Sequence, residues 1–152
     1  GSPVMYPMRA VRDVPDCYSV ERVDAAGASE GPLPPRERDP LWEASQRAVR
    51  RAASRLDASD CPGAGRIAVI VGARRARAWG ADADGDSALQ DRVGVLSAGA
   101  AKGLEFDSVV LVEPCEILAD GVGDLFVALT RATHDVRVVH SRPLPAGMEE
   151  WA

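Results

Sequence analysis

Apolar runs too continuous for a one-sided sheet alternate here with stretches of helical period. Together they place the chain among α/β proteins with a mainly parallel sheet of about four to six strands. "RIAVIVG" at 66–72 and "DSVVLVEP" at 107–114 show no polar alternation, the pattern of strands buried on both faces. "PLWEASQRAVRRAASRLDA", which follows Asp39, instead repeats its apolar residues at three- and four-residue spacing, the period of an amphipathic helix.

Residues 1–39 read as an irregular N-terminal segment of the domain, broken by Pro3, Pro7, Pro15, Pro32, Pro34 and Pro35. Within them "YSVERV" at 18–23 is a candidate fifth strand, and "GASEGPLPPRERD" is a loop. Gly1-Ser2 has the form of a scar of tag removal, so the chain is expected to be a piece of a longer one. The regular body is expected over 40–152. Asp39-Pro40 announces its first helix, a capping carboxylate followed by proline where a free N–H is not needed. Leu41, Ala44, Ala48, Val49, Ala52 and Leu56 form the apolar stripe of that helix, and its arginines fall mostly on the other face.

After the turn-rich "SDCPGAG" comes the strand at 66–72. "ARRARAWGADADGDSALQ" then predicts a short helix and a loop. "RVGVLSA" at 92–98 and "DSVVLVEP" are the next strands, "VGDLFVALTRATH" at 122–134 a helix, and "DVRVVHS" at 135–141 a closing strand. Leu125, Ala128, Leu129 and Ala132 make the core stripe of the 122–134 helix. At about 100° per residue, Arg131 sits roughly 110° from its centre. An arginine in a helix's last turns is ordinarily a solvated charge favoured by the dipole, and from spacing alone Arg131 reads so. In open parallel sheets the functional loops lie beyond the carboxyl ends of the strands. That draws attention to "GAAKGLEF", the loop after the strand at 92–98.

The net charge of −5 and pI near 5.0 exclude a globally basic nucleic-acid binder, so any phosphate contact is local. The basic concentrations are Arg47, Arg50, Arg51 and Arg55, then Arg74, Arg75 and Arg77. No apolar run has the length of a membrane span, and no signal peptide is visible. Cys17, Cys61 and Cys115 form no C-x-x-C pair. They read as free thiols in a reducing cytosol, and a cytoplasmic location is expected.

Several motifs fall on inspection. "DADGD" at 82–86 resembles the opening of a calcium loop, but Ser87 stands at the turn glycine and Val93 at the bidentate glutamate, so a solvated acidic loop is expected. "GAG" at 63–65 precedes its strand and is no dinucleotide fingerprint. No G-x-x-x-x-G-K-[ST] exists in a chain whose only lysine is Lys102, against seventeen arginines. His134 and His140 have no Ser or Cys placed to make a recognisable triad, and no metal site is expected.

Two stretches remain. "VLSAGAAKGLEFDSVVLVEP" resembles motif V of the superfamily 1 helicases related to UvrD, Rep and PcrA. "GDLFVALTRATHDVRVVH" is similar to their motif VI with its following strand. The two occur in the family's order and cover about 50 residues directly. The resemblance implies the second RecA-like (C-terminal, 2A) domain, a three-layer sandwich over 40–152 that carries both motifs. It implies that Arg131 reaches across an ATP cleft to the γ-phosphate, and that Glu105 accepts from the ribose hydroxyls. Gly103 would permit close backbone approach, and Lys102 would order the loop or set the field of the cleft.

By the same resemblance ATP and Mg2+ are bound mainly by a first RecA-like domain of the parent protein, the domain's principal partner. Without its phosphate loop the isolated domain is expected to be inactive. The further partners implied are single-stranded DNA or a polymerase–nucleic acid complex, with no membrane. Typical members read T-x-H-x-A-K-G-L-E-F, and the threonine and histidine grip the strand. Those places here are Ser97 and Gly99, while Phe126 replaces a usual tyrosine. The missing histidine and the short passage from Phe106 to Asp124 resemble the helicase IV and HelD-like branch, which includes RNA polymerase-associated proteins. A reading from another class is a degenerate RecA-like fold kept as a protein-interaction module, contacting for example RNA polymerase. Intact Glu105 and Arg131 favour the motor.

Overall fold

The computed structural model describes residues 18–24, 32–58, 65–81 and 91–148. The acidic run at 82–86, Cys17 and Cys61 lie outside them, as do residues 27–31 of the "GASEGPLPPRERD" loop and 59–64 of "SDCPGAG". Five strands form one sheet: β1 (Tyr18–Arg22), β2 (Ile67–Val71), β3 (Val93–Ser97), β4 (Phe106–Val112) and β5 (Ala132–His140). They are ordered β1-β5-β4-β2-β3, and each neighbouring pair is parallel. The candidate strand at 18–23 is thus real and forms one edge of the sheet, paired with β5 from Tyr18↔Val136 to Arg22↔His140.

Each parallel connection crosses one face of the sheet, so both faces are covered. On one lie α1 (Pro40–Asp57) and α2 (Ala73–Ala78), which bury Leu41, Ala44, Ala48, Ala52, Ala76 and Trp79 against Ile67, Val69, Val71, Val110 and Val112. On the other lie α3 (Ala98–Ala101), α4 (Pro114–Asp120) and α5 (Val122–Leu129), packed through Ala101, Ile117, Leu125 and Leu129 on Ala68, Ile70, Val109 and Leu111. Successive residues of β2 and β4 feed opposite cores, so β2 shows no polar position and β4 none after Ser108. No described helix is long and apolar enough to cross a membrane.

The expected cap of α1 is formed: the Asp39 carboxylate accepts from Leu41 N at 3.0 Å, with Pro40 at the first helical position. One helix falls where the sequence assigned no element: α4 starts at Pro114 directly behind a left-handed Glu113 (φ 52°). One expectation fails. The helix expected over 122–134 stops at Leu129, and Ala132 belongs to β5 instead of a helical stripe. Arg131 therefore lies on no helix face. Thr130 ends the helix chemically: its N–H and hydroxyl both donate back to the carbonyls of Phe126 and Val127.

Candidate functional site

The residues singled out in the sequence do not gather at one end of the sheet. Ser97 closes β3 at the carboxyl edge, level with Val71, and its Oγ accepts from Ala100 N at 3.3 Å, capping α3. Gly99, exposed in α3, has open surroundings: an added Cβ would meet only Ser97 Oγ, at 3.9 Å. Packing does not forbid a larger side chain there.

Lys102 and Gly103 form the exposed turn that leaves α3. Gly103 has φ +78°, and nothing lies within 4 Å of where its Cβ would be. The structure thus gives glycine a conformational reason at this position, since a left-handed residue with a side chain costs about 1–2 kcal/mol. Close approach of neighbouring protein is not the reason.

The chain then runs back along the sheet, because β4 must start at the same edge as its parallel neighbours. Register makes Ser97 level with Val112, seven residues from Glu105 along β4. At about 3.3 Å per residue, the two ends of motif V stand roughly 20 Å apart. Of the residues singled out, Ser97 and Gly99 therefore lie at the carboxyl ends of the strands and Glu105 does not. Glu105 sits at the amino edge, exposed, with no hydrogen bond or ion pair among the described residues.

Arg131 shares that edge. Ala132 pairs with Phe106, and the amide of Phe106, directly after Glu105, donates to the carbonyl of Arg131 at 3.0 Å. The residues before β4 and β5 are thereby locked side by side, one strand spacing apart. The Arg131 side chain is half-buried. Its Nη2 donates to Thr130 Oγ1 at 3.2 Å, while its Nε is buried with no partner among the described residues. Leaving a buried donor unsatisfied costs about 1–3 kcal/mol. No carboxylate neutralises this guanidinium among the described residues.

Farther along the same edge the polar groups are paired. Asp107 Oδ2 accepts from Arg66 N at 2.7 Å, and Asp107 Oδ1 lies 3.5 Å from His134 Nδ1. Arg66 stacks over the Phe106 ring at 5.3 Å. The buried Asp135 receives Ser108 Oγ and, at 3.0 Å, Arg137 Nε.

The carboxyl edge is built differently. Chain connections diverge between β2 and β4, where an open parallel sheet ordinarily leaves a ligand crevice. Here the crevice is filled. A Cβ on Gly72 would lie 3.1–3.2 Å from Glu116, and Ala73 N donates to Asp120 at 2.8 Å. Arg75, taken from sequence as part of a basic concentration, is fully buried. It forks onto Glu116 with two bonds of 2.8 Å and donates to Asp39 Oδ2 at 2.5 Å. Trp79 Nε1 adds a fourth bond, to Asp39. Burial works against the Arg75 charge, but Glu116 and Asp39 outweigh it and hold the guanidinium more firmly protonated.

Next to this cluster, buried Glu113 accepts from Ser141 N, Ser141 Oγ and Arg142 N. Cys115 is a free, half-buried thiol pushed up by burial and by Glu113, a poor nucleophile. Sequence reasoning missed this cluster because its members lie 36 to 41 residues apart in the chain. The signal that was available is Pro114, a helix-starting residue, with Gly121 seven positions later.

No family model and no curated protein matches this sequence. Twenty solved chains match the structure. Among them is the C-terminal domain of a possible DNA helicase from Lactobacillus plantarum WCFS1. It is 18% identical, with a TM-score of 0.50, over 97% of this chain and 90% of that one. At that identity the match establishes a shared fold, and the five-stranded parallel sheet between two helical layers is that of a RecA-like sandwich.

Proposed function

We infer that this chain is the second RecA-like domain of an ATP-dependent superfamily 1 helicase or translocase. One observation carries the reading: Glu105 and Arg131 lie side by side at the amino edge, both without a charged partner among the described residues. A carboxylate residue and an arginine without an ionic partner at adjacent backbone positions suit a nucleotide laid across that edge. Glu105 would accept from the ribose hydroxyls. Arg131, planar and permanently charged, would donate to the γ-phosphoryl oxygens as charge develops on them. Lys102, exposed three residues before Glu105, would add positive field without a fixed contact.

Magnesium, when bound, would neutralise phosphate charge, and in this reading the carboxylates of a first RecA-like domain would hold it. Among the described residues no group of three or more His, Cys, Asp or Glu side chains is placed to hold a metal. The parent protein would act in the cytoplasm on single-stranded DNA or on a polymerase–nucleic acid complex. Gly99, with no side chain to grip a strand, leans toward the second, and thus toward the helicase IV and HelD-like branch that includes RNA polymerase-associated proteins.

The test is ATP hydrolysis by the intact parent protein, wild type against Arg131→Ala, with nucleotide binding measured alongside. A fall in kcat of about 10³-fold or more, with binding largely kept, is the expected result. Unchanged turnover would remove the arginine from the chemistry and leave a RecA-like interaction module as the better reading.

A further inference from the structure

We propose that Thr130 is a positioning residue for Arg131, aiming the guanidinium across the amino edge without neutralising it. The inference rests on the arginine reading above. The Thr130 hydroxyl lies 2.9 Å from the carbonyl oxygen of Phe126 and 3.2 Å from that of Val127. Both are acceptors only, and a hydroxyl has a single proton. That proton is committed to the end of α5, so the hydroxyl presents lone pairs to its other side. Arg131 Nη2 donates into that side at 3.2 Å.

The polarity of the contact is therefore set by the helix: Thr130 donates to α5 and accepts from Arg131. Thr130 is itself held through its backbone N–H, 3.1 Å from the same two carbonyls. On the other flank, the Arg131 carbonyl is fixed by Phe106 N. The arginine is thus gripped at its backbone and at one nitrogen of its tip.

A neutral acceptor is what such a task requires. A carboxylate at position 130 would hold the tip more tightly, since charge-assisted bonds are about twice as strong as neutral ones. It would also cancel the charge that the arginine has to deliver. Arg75, held by two carboxylates, is that alternative elsewhere in the same molecule. It has no charge left to offer.

The experiment is steady-state ATP hydrolysis by the intact parent protein with saturating single-stranded DNA. The variants are Thr130→Val, Thr130→Ser, Arg131→Ala and the Thr130→Val, Arg131→Ala double. Thr130→Val keeps the shape and loses the hydroxyl; it should lower kcat about tenfold or more and leave KM for ATP within about twofold. Thr130→Ser keeps the hydroxyl and should stay within about twofold of wild type, and the double should be no worse than Arg131→Ala alone. Thr130→Ala replaces the valine variant if the latter does not fold.

Wild-type turnover in Thr130→Val beside an inactive Arg131→Ala would overturn the positioning role and leave the arginine reading standing. So would an equal further loss on adding Thr130→Val to Arg131→Ala, or a serine variant as slow as the valine one. Full turnover in Arg131→Ala would overturn both readings together.

Discussion

The carboxyl edge of this sheet and the Glu105–Arg131 end of its amino edge carry the same kinds of side chain and use them in opposite ways. At the carboxyl edge Arg75 meets Glu116 and Asp39, Trp79 meets Asp39, and Glu113 collects three donors. At the amino edge Arg131 has one neutral contact and an unpaired Nε, and Glu105 has none among the described residues. A buried charge is tolerated only when paired, so the first edge is completed from within the domain. At the second, Arg131 keeps a buried donor without a partner among the described residues. The crevice that fold precedent nominates as the ligand site is the one this chain has closed.

The sharpest way to break that contrast is to open the closed edge. Arg75→Ala strands two carboxylates in the core and should lower stability by about 3–5 kcal/mol, read as a fall in the urea midpoint. A loss near zero would mean that the cluster is wetter and less essential than its geometry. Gly103→Ala comes next. It meets no steric obstacle, so only its left-handed backbone opposes it, and a loss of about 1–2 kcal/mol is expected in the same titration. Arg131→Ala should have the smallest effect on stability, within about 0.5 kcal/mol of wild type or slightly stabilising, because it removes an unsatisfied donor. A loss above about 2 kcal/mol would show a structural arginine and erase the difference between the edges.

What could be read in the sequence follows from how local each feature is. β2 and β4 were legible to within two residues because burial on both faces leaves an unbroken apolar run. α1 was legible because Asp39 and Pro40 form a local start signal. The end of α5 was not, since neither glycine nor proline marks it, only the bonds from Thr130 back to Phe126 and Val127. α4 was hidden behind Glu113, a left-handed position held by a residue that rarely takes it. Arg75 was misjudged because a charge in "ARRARA" looks solvated until its distant carboxylates are known.

In the candidate site, Glu105 and Arg131 could be named from the sequence as candidate residues. Their nearness follows only from the β4–β5 register, and the separation of Glu105 from Ser97 only from the parallel return of the chain.

That register has a consequence for how such a domain can change over time. The distance between Glu105 and Arg131 is set by the hydrogen bond from Phe106 N to the Arg131 carbonyl and by the pairing behind it. The turn at 102–104 and the connection from α4 into α5 take no part in it. Residues can be gained or lost in either connection while the apolar patterns of β4 and β5 keep the two strands aligned. Loop length is then free to drift, and the backbone spacing between positions 105 and 131 stays constant.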